Sequence, residues 1–271
     1  MNKILVDSQW LQNNLNNEDL IILDASLESS KNSVVSHSAN KRIKGARFFD
    51  LVKSFSDTTS IFPNTVPNPI AFEKGCRDLG INKTSQIIIY DTTGIYSSPR
   101  AWWLFKVMGH ENVYVLDGGL PDWIKQGYAI EKITNTNFIP GNFEANYQHG
   151  LVKDHQFIQS NLDAQNTIVI DARSKGRFDG TDPEPRRGLR SGHIPNSLNL
   201  PFSAVLENGK FKSKPLLHKV FQELGLDERP LVFSCGSGLT ACIILMASEL
   251  VSDNKTAVYD GSWTEWVQMN P

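Results

Sequence analysis

Short hydrophobic runs alternate along the chain with stretches whose apolar residues recur at helical spacing. Four of these runs are almost continuously apolar, as is typical of strands covered on both faces of a sheet: 20–24, 86–91, 113–116 and 231–234. Helix boundary signals lie between them. For example, Asn68 and Pro69 open a stretch that closes at Gly80. Strands that alternate with helices predict an α/β fold, with parallel sheet flanked by helices.

The same order of segments occurs twice. Three short matches keep their order and nearly their spacing: Asp24 with Asp171 (171 − 24 = 147), Asp91 with Cys235 (235 − 91 = 144) and Gly118 with Gly261 (261 − 118 = 143). We therefore predict a tandem duplication, with one unit in residues 1–135, a linker rich in turn formers in 136–150, and a second unit in 151–271. The linker is expected to run extended across the surface from one unit to the next. A carboxylate cannot act as a sulfur nucleophile, so only the second unit is expected to be catalytic. The first unit would form one wall of the site.

The stretch 231–241 carries the strongest chemical signal. A short apolar run passes through Cys235 into a Gly-Ser-Gly turn and then into a helix-like segment from Leu239 to Leu250. This order is expected to place the Cys235 sulfur near unpaired N–H groups at a helix N-terminus, where negative charge is stabilised. A thiolate favoured in this way is a nucleophile. A buried structural cysteine is the alternative, but two glycines at one junction favour the catalytic interpretation.

The second unit also carries a longer loop than the first. Asp171 and His193 are separated by 193 − 171 = 22 positions, whereas Asp24 and Arg42 are separated by 42 − 24 = 18. The loop contains five arginines: Arg173, Arg177, Arg186, Arg187 and Arg190. Because arginine presents a planar fork of donors, we interpret the loop as a rigid binder of carboxylates. A solvated surface loop with internal ion pairs is the alternative. His193 is expected to hold the backbone of a turn rather than to act as a general base.

Composition excludes several classes of function. Lys and Arg total 27 against 29 Asp and Glu, so a net charge of −2 gives no electrostatic case for nucleic acid binding. The longest purely apolar run, 241–247, is too short to span a membrane, and the N-terminus lacks the apolar core of a signal peptide. Three cysteines without paired spacing argue against disulfides and against a zinc site. We expect no bound metal, a cytoplasmic location, and core positions for Cys76 and Cys242.

These segments resemble a known family. The stretch 235–241 is similar to the active-site loop of the two-domain rhodanese superfamily, in the form typical of 3-mercaptopyruvate sulfurtransferases. Further similar segments lie in both halves and extend the resemblance over nearly the whole chain: 48–50, 97–103, 176–178, 185–186, 192–195 and 260–266.

The resemblance implies a mechanism and a set of site residues. Cys235 would attack the sulfur of a small-molecule donor and become a persulfide, with no other cofactor. A thiol, a thioredoxin-like protein or cyanide would then remove the outer sulfur. Arg177 and Arg186 match arginines that hold the substrate carboxylate and keto oxygen, and Ser237 matches a residue proposed to assist proton transfer. The other loop residues would stabilise the sulfur anions through their amides: Gly236, Gly238, Leu239 and Thr240.

The uncharged turn after Cys235 predicts 3-mercaptopyruvate as the donor, because a thiosulfate-preferring relative would usually carry basic side chains there. Thiosulfate:cyanide sulfurtransfer and a non-enzymatic persulfide carrier stay open as alternatives. A phosphatase would need an arginine in the seven residues after Cys235, and none is present. One departure is Arg42-Ile43-Lys44-Gly45, where the family commonly has His-Ile-Pro-Gly. Any role of that histidine is then absent or taken by His37, and the extra cations are expected to affect donor preference.

Overall fold

The structure is a computed structural model that describes residues 4–27, 41–134 and 137–270. The strands of the first half are β1 (Leu5–Val6), β2 (Leu20–Asp24), β3 (Lys41–Ile43), β4 (Arg47–Phe48), β5 (Gln86–Tyr90), β6 (Val113–Leu116) and β7 (Ile130–Lys132). Its described helices are α1 (Ser8–Asn14), α2 (Pro69–Asp78), α3 (Ser98–Val107) and α4 (Gly119–Lys125).

The second half repeats this alternation. Its strands are β8 (Val152–Lys153), β9 (Ile168–Asp171), β10 (Leu198–Asn199), β11 (Leu206–Glu207), β12 (Lys210–Phe211), β13 (Leu231–Ser234) and β14 (Thr256–Tyr259). Its helices are α5 (His155–Ala164), α6 (Lys175–Asp179), α7 (Lys214–Gln222), α8 (Ala241–Glu249) and α9 (Ser262–Met269).

Each half is built on a five-stranded parallel sheet. The strand order is β1-β6-β5-β2-β4 in the first sheet and β8-β14-β13-β9-β10 in the second. Matching the sheets strand by strand pairs β5 with β13 and β2 with β9, which are the pairs that the sequence repeat indicates. The predicted α/β fold and its duplication are confirmed.

Local signals set the helix ends. Helix α2 begins after Asn68, whose side chain accepts a hydrogen bond from the Ile70 amide, and Gly80 follows its end with φ of +69°. Helix α8 begins at Ala241, two residues later than predicted. The reason is that Leu239 still belongs to the loop after β13, where its carbonyl accepts from the Cys242 amide at 3.2 Å.

One hydrophobic core joins the two units. Helices α3 and α8 pack against each other, and their buried side chains belong to a single cluster. Trp102 and Phe105 enter it from α3, and Ile244 and Met246 enter it from α8. The contact aligns the carboxyl ends of β5 and β13 at a common boundary between the units, which is where the site lies.

The segment that connects the units differs from its predicted path over the surface. Residues 137–148 contain neither helix nor strand, yet Phe143 is fully buried. Its amide donates to the Ile81 carbonyl, and the Asn146 amide donates to the Met108 carbonyl. The predicted surface path is therefore wrong at Phe143, because this aromatic ring is buried in the hydrophobic core that joins the two units.

A two-stranded antiparallel ribbon, β3 with β7, was not predicted from the sequence. Arg42 lies in it, with its side chain 8% exposed, and forms an ion pair with Glu131 at 2.8 Å. In the part of the chain that the structure describes, no contact joins Arg42 to the loop after Cys235. Its charge is used to hold the ribbon together. His37 lies outside the described residues.

Candidate active site

Cys235 stands at the carboxyl end of β13, in the loop that leads into α8, and 2% of its surface is exposed. The hydroxyl of Ser262, at the start of α9, holds this loop in place. It accepts hydrogen bonds from the Cys235 amide and the Gly238 amide, both at 3.1 Å. The carbonyl of Gly236 is fixed in turn by the hydroxyl of Thr264 at 2.6 Å. Together with the bonds from the Trp263 and Thr264 amides to the Cys235 and Gly236 carbonyls, these contacts fix the loop to the start of α9.

Several backbone amides of this loop have no acceptor within residues 4–27, 41–134 and 137–270. They belong to Gly236, Ser237, Leu239, Thr240 and Ala241. Unpaired amides at the start of a helix stabilise a negative charge in front of them. The predicted arrangement of Cys235 before a helix N-terminus is present.

The matching loop of the first unit already contains an anion. Asp91 follows β5 as Cys235 follows β13, and its carboxylate is 1% exposed. It accepts hydrogen bonds of 2.9–3.0 Å from the amides of Thr93, Tyr96, Ser97 and Ser98. The Ser98 hydroxyl adds a further bond at 2.7 Å.

Adding the repeat offset of 144 to these four positions gives residues 237, 240, 241 and 242. The first three of them are among the amides without an acceptor. The first unit thus fills its amide loop with its own carboxylate. The second unit places a thiol at that position and leaves the amides available to a sulfur anion.

Arg177 and Arg186, predicted to bind substrate, lie together beside this loop. A β-carbon added at Gly236 would lie 3.0 Å from Nη2 of Arg177 and 3.6 Å from Nη1 of Arg186. Arg186 also donates to the Ser237 hydroxyl at 2.9 Å. Two guanidinium groups therefore face the turn that follows Cys235, as an anionic substrate requires.

A buried carboxylate fixes the arginine loop. Glu184, whose side chain is 1% exposed, accepts from Nε and Nη2 of Arg177 at 3.0 and 2.6 Å, and from Arg173 at 2.8 Å. Arg173 also pairs with Asp171 and lies over the ring of Trp263. Burial alone would raise the pKa of Glu184, but the hydrogen bonds and charges of the two arginines outweigh it and lower that pKa. This network agrees with the rigid loop that we inferred from the sequence.

The first unit contributes residues that the sequence did not single out. Asn64 donates to the Ser237 hydroxyl at 3.0 Å, and the buried Arg100 donates to the Gly238 carbonyl at 3.3 Å. Tyr96 lies close enough that burial, followed by the charge of Cys235, raises the pKa of its phenol. The repeat predicted a wall formed by the first unit. At the repeat offset of 144, Asn64 matches Asn208, and both have a left-handed backbone, with φ of +62° and +52°. This shared turn does not indicate the contact of Asn64 with Ser237.

The remaining candidates are structural. The Nδ1 atom of His193 lies 2.9 Å from the Phe178 carbonyl, and the two rings stack with centroids 4.1 Å apart. Cys242 is buried within α8, and burial raises its pKa to about 12. Burial also raises the pKa of Cys76 well above its usual value. In the ranges that the structure describes, no group of His, Cys, Asp or Glu side chains could hold a metal ion.

Comparison with known proteins agrees with this geometry. The family model of the rhodanese-like domain matches residues 7–126 and again 154–269. Thiosulfate/3-mercaptopyruvate sulfurtransferase 1, mitochondrial, of Arabidopsis thaliana is 39% identical over 97% of this chain and 75% of its own length. The 3-mercaptopyruvate sulfurtransferase of Mus musculus is also 39% identical, over 97% of this chain and 92% of its own.

The fold has solved counterparts. The crystal structure of SseA from Escherichia coli, described as showing the rhodanese fold and mechanism of 3-mercaptopyruvate sulfotransferases, superposes with a TM-score of 0.85 at 31% identity. The match covers 97% of this chain and 99% of that one. Among the described helices, none is long and apolar enough to cross a membrane. With two copies of the domain along its length and relatives of this identity, the chain belongs to the family of rhodanese-like domain proteins.

Proposed function

We propose that this protein is a sulfurtransferase that takes sulfur from 3-mercaptopyruvate onto Cys235 and passes it to a thiol, a thioredoxin-like protein or cyanide. The observation that carries the proposal is the loop of acceptor-free amides around Cys235, set beside two arginines. The relative from Mus musculus is named for this activity.

The donor would be held by its anionic end. Arg177 uses Nε and Nη2 on Glu184, and in the described part of the chain its Nη1 has no partner. Arg186 is exposed at the protein surface, and its guanidinium group donates hydrogen bonds to the hydroxyls of Ser237 and Thr264. The pair can therefore bind the carboxylate and keto oxygen of the donor, which directs its sulfur toward Cys235.

The first step is nucleophilic attack of the Cys235 thiolate on the donor sulfur. A sulfur–sulfur bond forms, the carbon–sulfur bond breaks, and its electron pair leaves on the enolate of pyruvate. The cysteine sulfur and the donor sulfur together lose two electrons as they bond to each other, and the carbon gains those two electrons. The proton of the donor thiol is balanced by the proton that the enolate takes up, so that a thiolate and mercaptopyruvate become a persulfide anion and pyruvate.

The second step regenerates the enzyme. A thiolate or cyanide attacks the outer sulfur of the persulfide, and the Cys235 thiolate leaves. The loop amides stabilise the negative charge in both forms, because the terminal persulfide sulfur and the thiolate sulfur lie in front of the same group of N–H donors.

Mass spectrometry after exposure to 3-mercaptopyruvate tests the proposal directly. The peptide containing Cys235 is expected to gain one sulfur, pyruvate is expected in equal amount, and Cys235→Ser is expected to give neither. Pyruvate release at the native rate by Cys235→Ser would contradict the proposal. A persulfide on Cys235 without turnover would identify a carrier instead.

Thiosulfate is the competing donor, since the Arabidopsis relative is named for both compounds. The turn after Cys235 is uncharged, so a dianion would depend wholly on Arg177 and Arg186. We expect kcat/KM to be higher for 3-mercaptopyruvate than for thiosulfate. A clear preference for thiosulfate would assign the protein to the second activity.

We propose a cytoplasmic location, which the three free cysteines Cys76, Cys235 and Cys242 support because a reducing compartment keeps thiols unpaired. One relative is named as mitochondrial. Cell fractionation followed by immunoblotting separates the two locations, and recovery with mitochondria would correct the assignment.

A further inference from the structure

The Ser237 hydroxyl lies between the two units and is contacted from both sides. Nδ2 of Asn64, from the first unit, lies 3.0 Å from its oxygen, and Nη2 of Arg186, from the second, lies 2.9 Å from it. Ser237 itself is 6% exposed, so few water molecules can compete for these bonds. The hydroxyl therefore has two fixed protein partners.

Both partners are donors only. A guanidinium carries N–H groups and has no acceptor. The side-chain amide of Asn64 could in principle turn either atom toward Ser237, but its Nδ2 also lies 3.3 Å from the Ser237 carbonyl, which can only accept. The amide nitrogen is therefore the atom that faces Ser237.

A hydroxyl has two acceptor lone pairs and one hydrogen. With both lone pairs of Ser237 occupied by Asn64 and Arg186, its hydrogen must point in the remaining direction. In the described part of the chain no protein atom accepts that hydrogen. The acceptor is then a group that enters the site, beside Cys235 two residues earlier.

The first unit holds Asn64 firmly enough for this role. Asn64 has φ of +62°, a left-handed conformation that asparagine tolerates better than most residues. Its carbonyl accepts from Arg100, and the Val66 amide donates to Asp260 at 2.7 Å. These backbone bonds do not depend on the Asn64 side chain, so that side chain can be changed without releasing the loop.

We infer that Asn64 is a positioning residue that, together with Arg186, makes Ser237 an obligate hydrogen-bond donor to the substrate. The inference rests on the proposed function for the identity of the acceptor, which is the keto oxygen of 3-mercaptopyruvate. Negative charge develops on that oxygen as the carbon–sulfur bond breaks and the enolate forms. A donor fixed toward it stabilises the transition state more than the ground state. Ser237 keeps its proton throughout, and the enolate carbon is protonated by solvent.

The test compares Asn64→Gly with Asn64→Asp. Glycine accepts the left-handed backbone and removes the donor, so kcat for pyruvate release is expected to fall about tenfold with KM changed less than about threefold. Aspartate keeps size and backbone preference but presents an acceptor, which draws the Ser237 hydrogen away from the substrate. Its kcat is expected to fall at least about tenfold further.

Two backgrounds separate this effect from a structural one. In Ser237→Ala there is no hydroxyl to orient, so adding either Asn64 change is expected to alter kcat less than about twofold. Asn208→Asp is the matched control, since Asn208 also has a left-handed backbone, with φ of +52°, and lies in an exposed turn. It is expected to match the wild type.

The outcomes decide clearly. Equal or higher activity of Asn64→Asp compared with Asn64→Gly overturns the inference, as does a difference between them that persists in Ser237→Ala. If Asn64→Asp does not fold, Asn64→Gly in the two backgrounds decides alone. If the wild type uses thiosulfate but not 3-mercaptopyruvate, the proposed function is wrong. The inference about Asn64 is then tested by measuring the same variants with thiosulfate, because the sulfite that leaves from thiosulfate also offers an oxygen acceptor to Ser237. No turnover of either donor overturns both.

Discussion

Two thiols seven positions apart in the sequence lie in opposite environments. Cys235 ends a strand and is followed by amides without acceptors, which stabilise negative charge on its sulfur. Cys242 is the second residue of α8, where its S–H donates to the Gly238 carbonyl at 3.4 Å and burial raises its pKa to about 12. The difference in chemistry arises from backbone position and not from residue type.

Selective alkylation measures this difference. With iodoacetamide at pH 8, we expect Cys235 to be modified at least about a hundredfold faster than Cys76 or Cys242, because only a thiolate reacts and burial raises the pKa of Cys76 and of Cys242. Peptide mass spectrometry at timed intervals gives the three rates. In urea, all three are expected to react alike. Native labelling of Cys242 at the rate of Cys235 would contradict the assignment.

The buried Glu184 gives a second prediction for a single residue. Its replacement by glutamine removes a charge that two arginines share, so the free energy of unfolding is expected to fall by about 3 kcal/mol, and KM for the donor is expected to rise as Arg177 loses its anchor. Asp179→Asn is the control, because Asp179 pairs with Lys175 at the surface and its loss is expected to cost less than about 0.5 kcal/mol.

The same carboxylate predicts a dependence on pH. The pKa of Glu184 is lower in the folded protein than its ordinary value, so its contribution to stability is complete above that ordinary value and is lost as the pH falls through the folded pKa. Urea titrations between pH 6 and pH 3 are expected to show the wild type losing more stability on acidification than Glu184→Gln does. Parallel curves of stability against pH for the two proteins would show that the pKa of Glu184 is not lowered in the folded state.

At the scale of elements, the two strand–loop–helix segments both present backbone amides at the start of a helix, but they differ in the group that these amides face. The loop between β5 and α3 supplies amides that Asp91 occupies, whereas the loop between β13 and α8 leaves them to sulfur. The first loop is thus stabilised permanently by its own charge. The second depends on Ser262 and Thr264, which hold its backbone from the side of α9.

Asp91→Asn tests the role of the carboxylate in the first loop. The asparagine side chain has one acceptor and one donor in place of two acceptors, so an N–H group would face backbone amides. We expect the free energy of unfolding to fall by about 2–3 kcal/mol, the effect of weakening several hydrogen bonds to a buried charge. Urea denaturation followed by tryptophan fluorescence measures it. A change below about 0.5 kcal/mol would mean that the carboxylate does not stabilise this loop.

Elements with a strong local signal were predicted well from the sequence. Helix α2 has its asparagine cap and following glycine, and β6 occupies the predicted residues 113–116. The ribbon of β3 and β7 was missed because each strand has three residues, several of them charged, and they pair across about ninety positions. Asn64 was missed for a related reason. Its role depends on a contact with Ser237 across the unit boundary, 173 positions away, which no local pattern encodes.

At the scale of the whole molecule, the first unit acts as part of the active site although it has no nucleophile of its own. Arg100 from α3 is buried and forms an ion pair with Asp260 at 2.8 Å. A second ion pair joins the units, between Lys210 of the β11–β12 hairpin and Asp122 of α4 at 2.7 Å. Together with the shared core, these contacts fix the wall that carries Asn64 and Tyr96. The first unit therefore has a geometric role, since it supplies Asn64, one of the two donors that face Ser237; the other, Arg186, belongs to the second unit.

A glycine at this boundary provides the last prediction. Gly94 has φ of +110°, and a β-carbon there would lie 2.5 Å from the carbonyl oxygen of Gly209 in the second unit. Gly94→Ala is expected to lower the free energy of unfolding by about 3 kcal/mol and also to lower kcat/KM, because relief of the clash moves the loop that carries Tyr96. Gly127→Ala is the control, since Gly127 has φ of +75° with no atom within 4 Å of an added β-carbon. We expect Gly127→Ala to lower the free energy of unfolding by only about 1 kcal/mol, the cost of an alanine in a left-handed backbone conformation, and to leave kcat/KM unchanged. Equal effects of the two substitutions on stability and on kcat/KM would show that the boundary between the units does not constrain the active site.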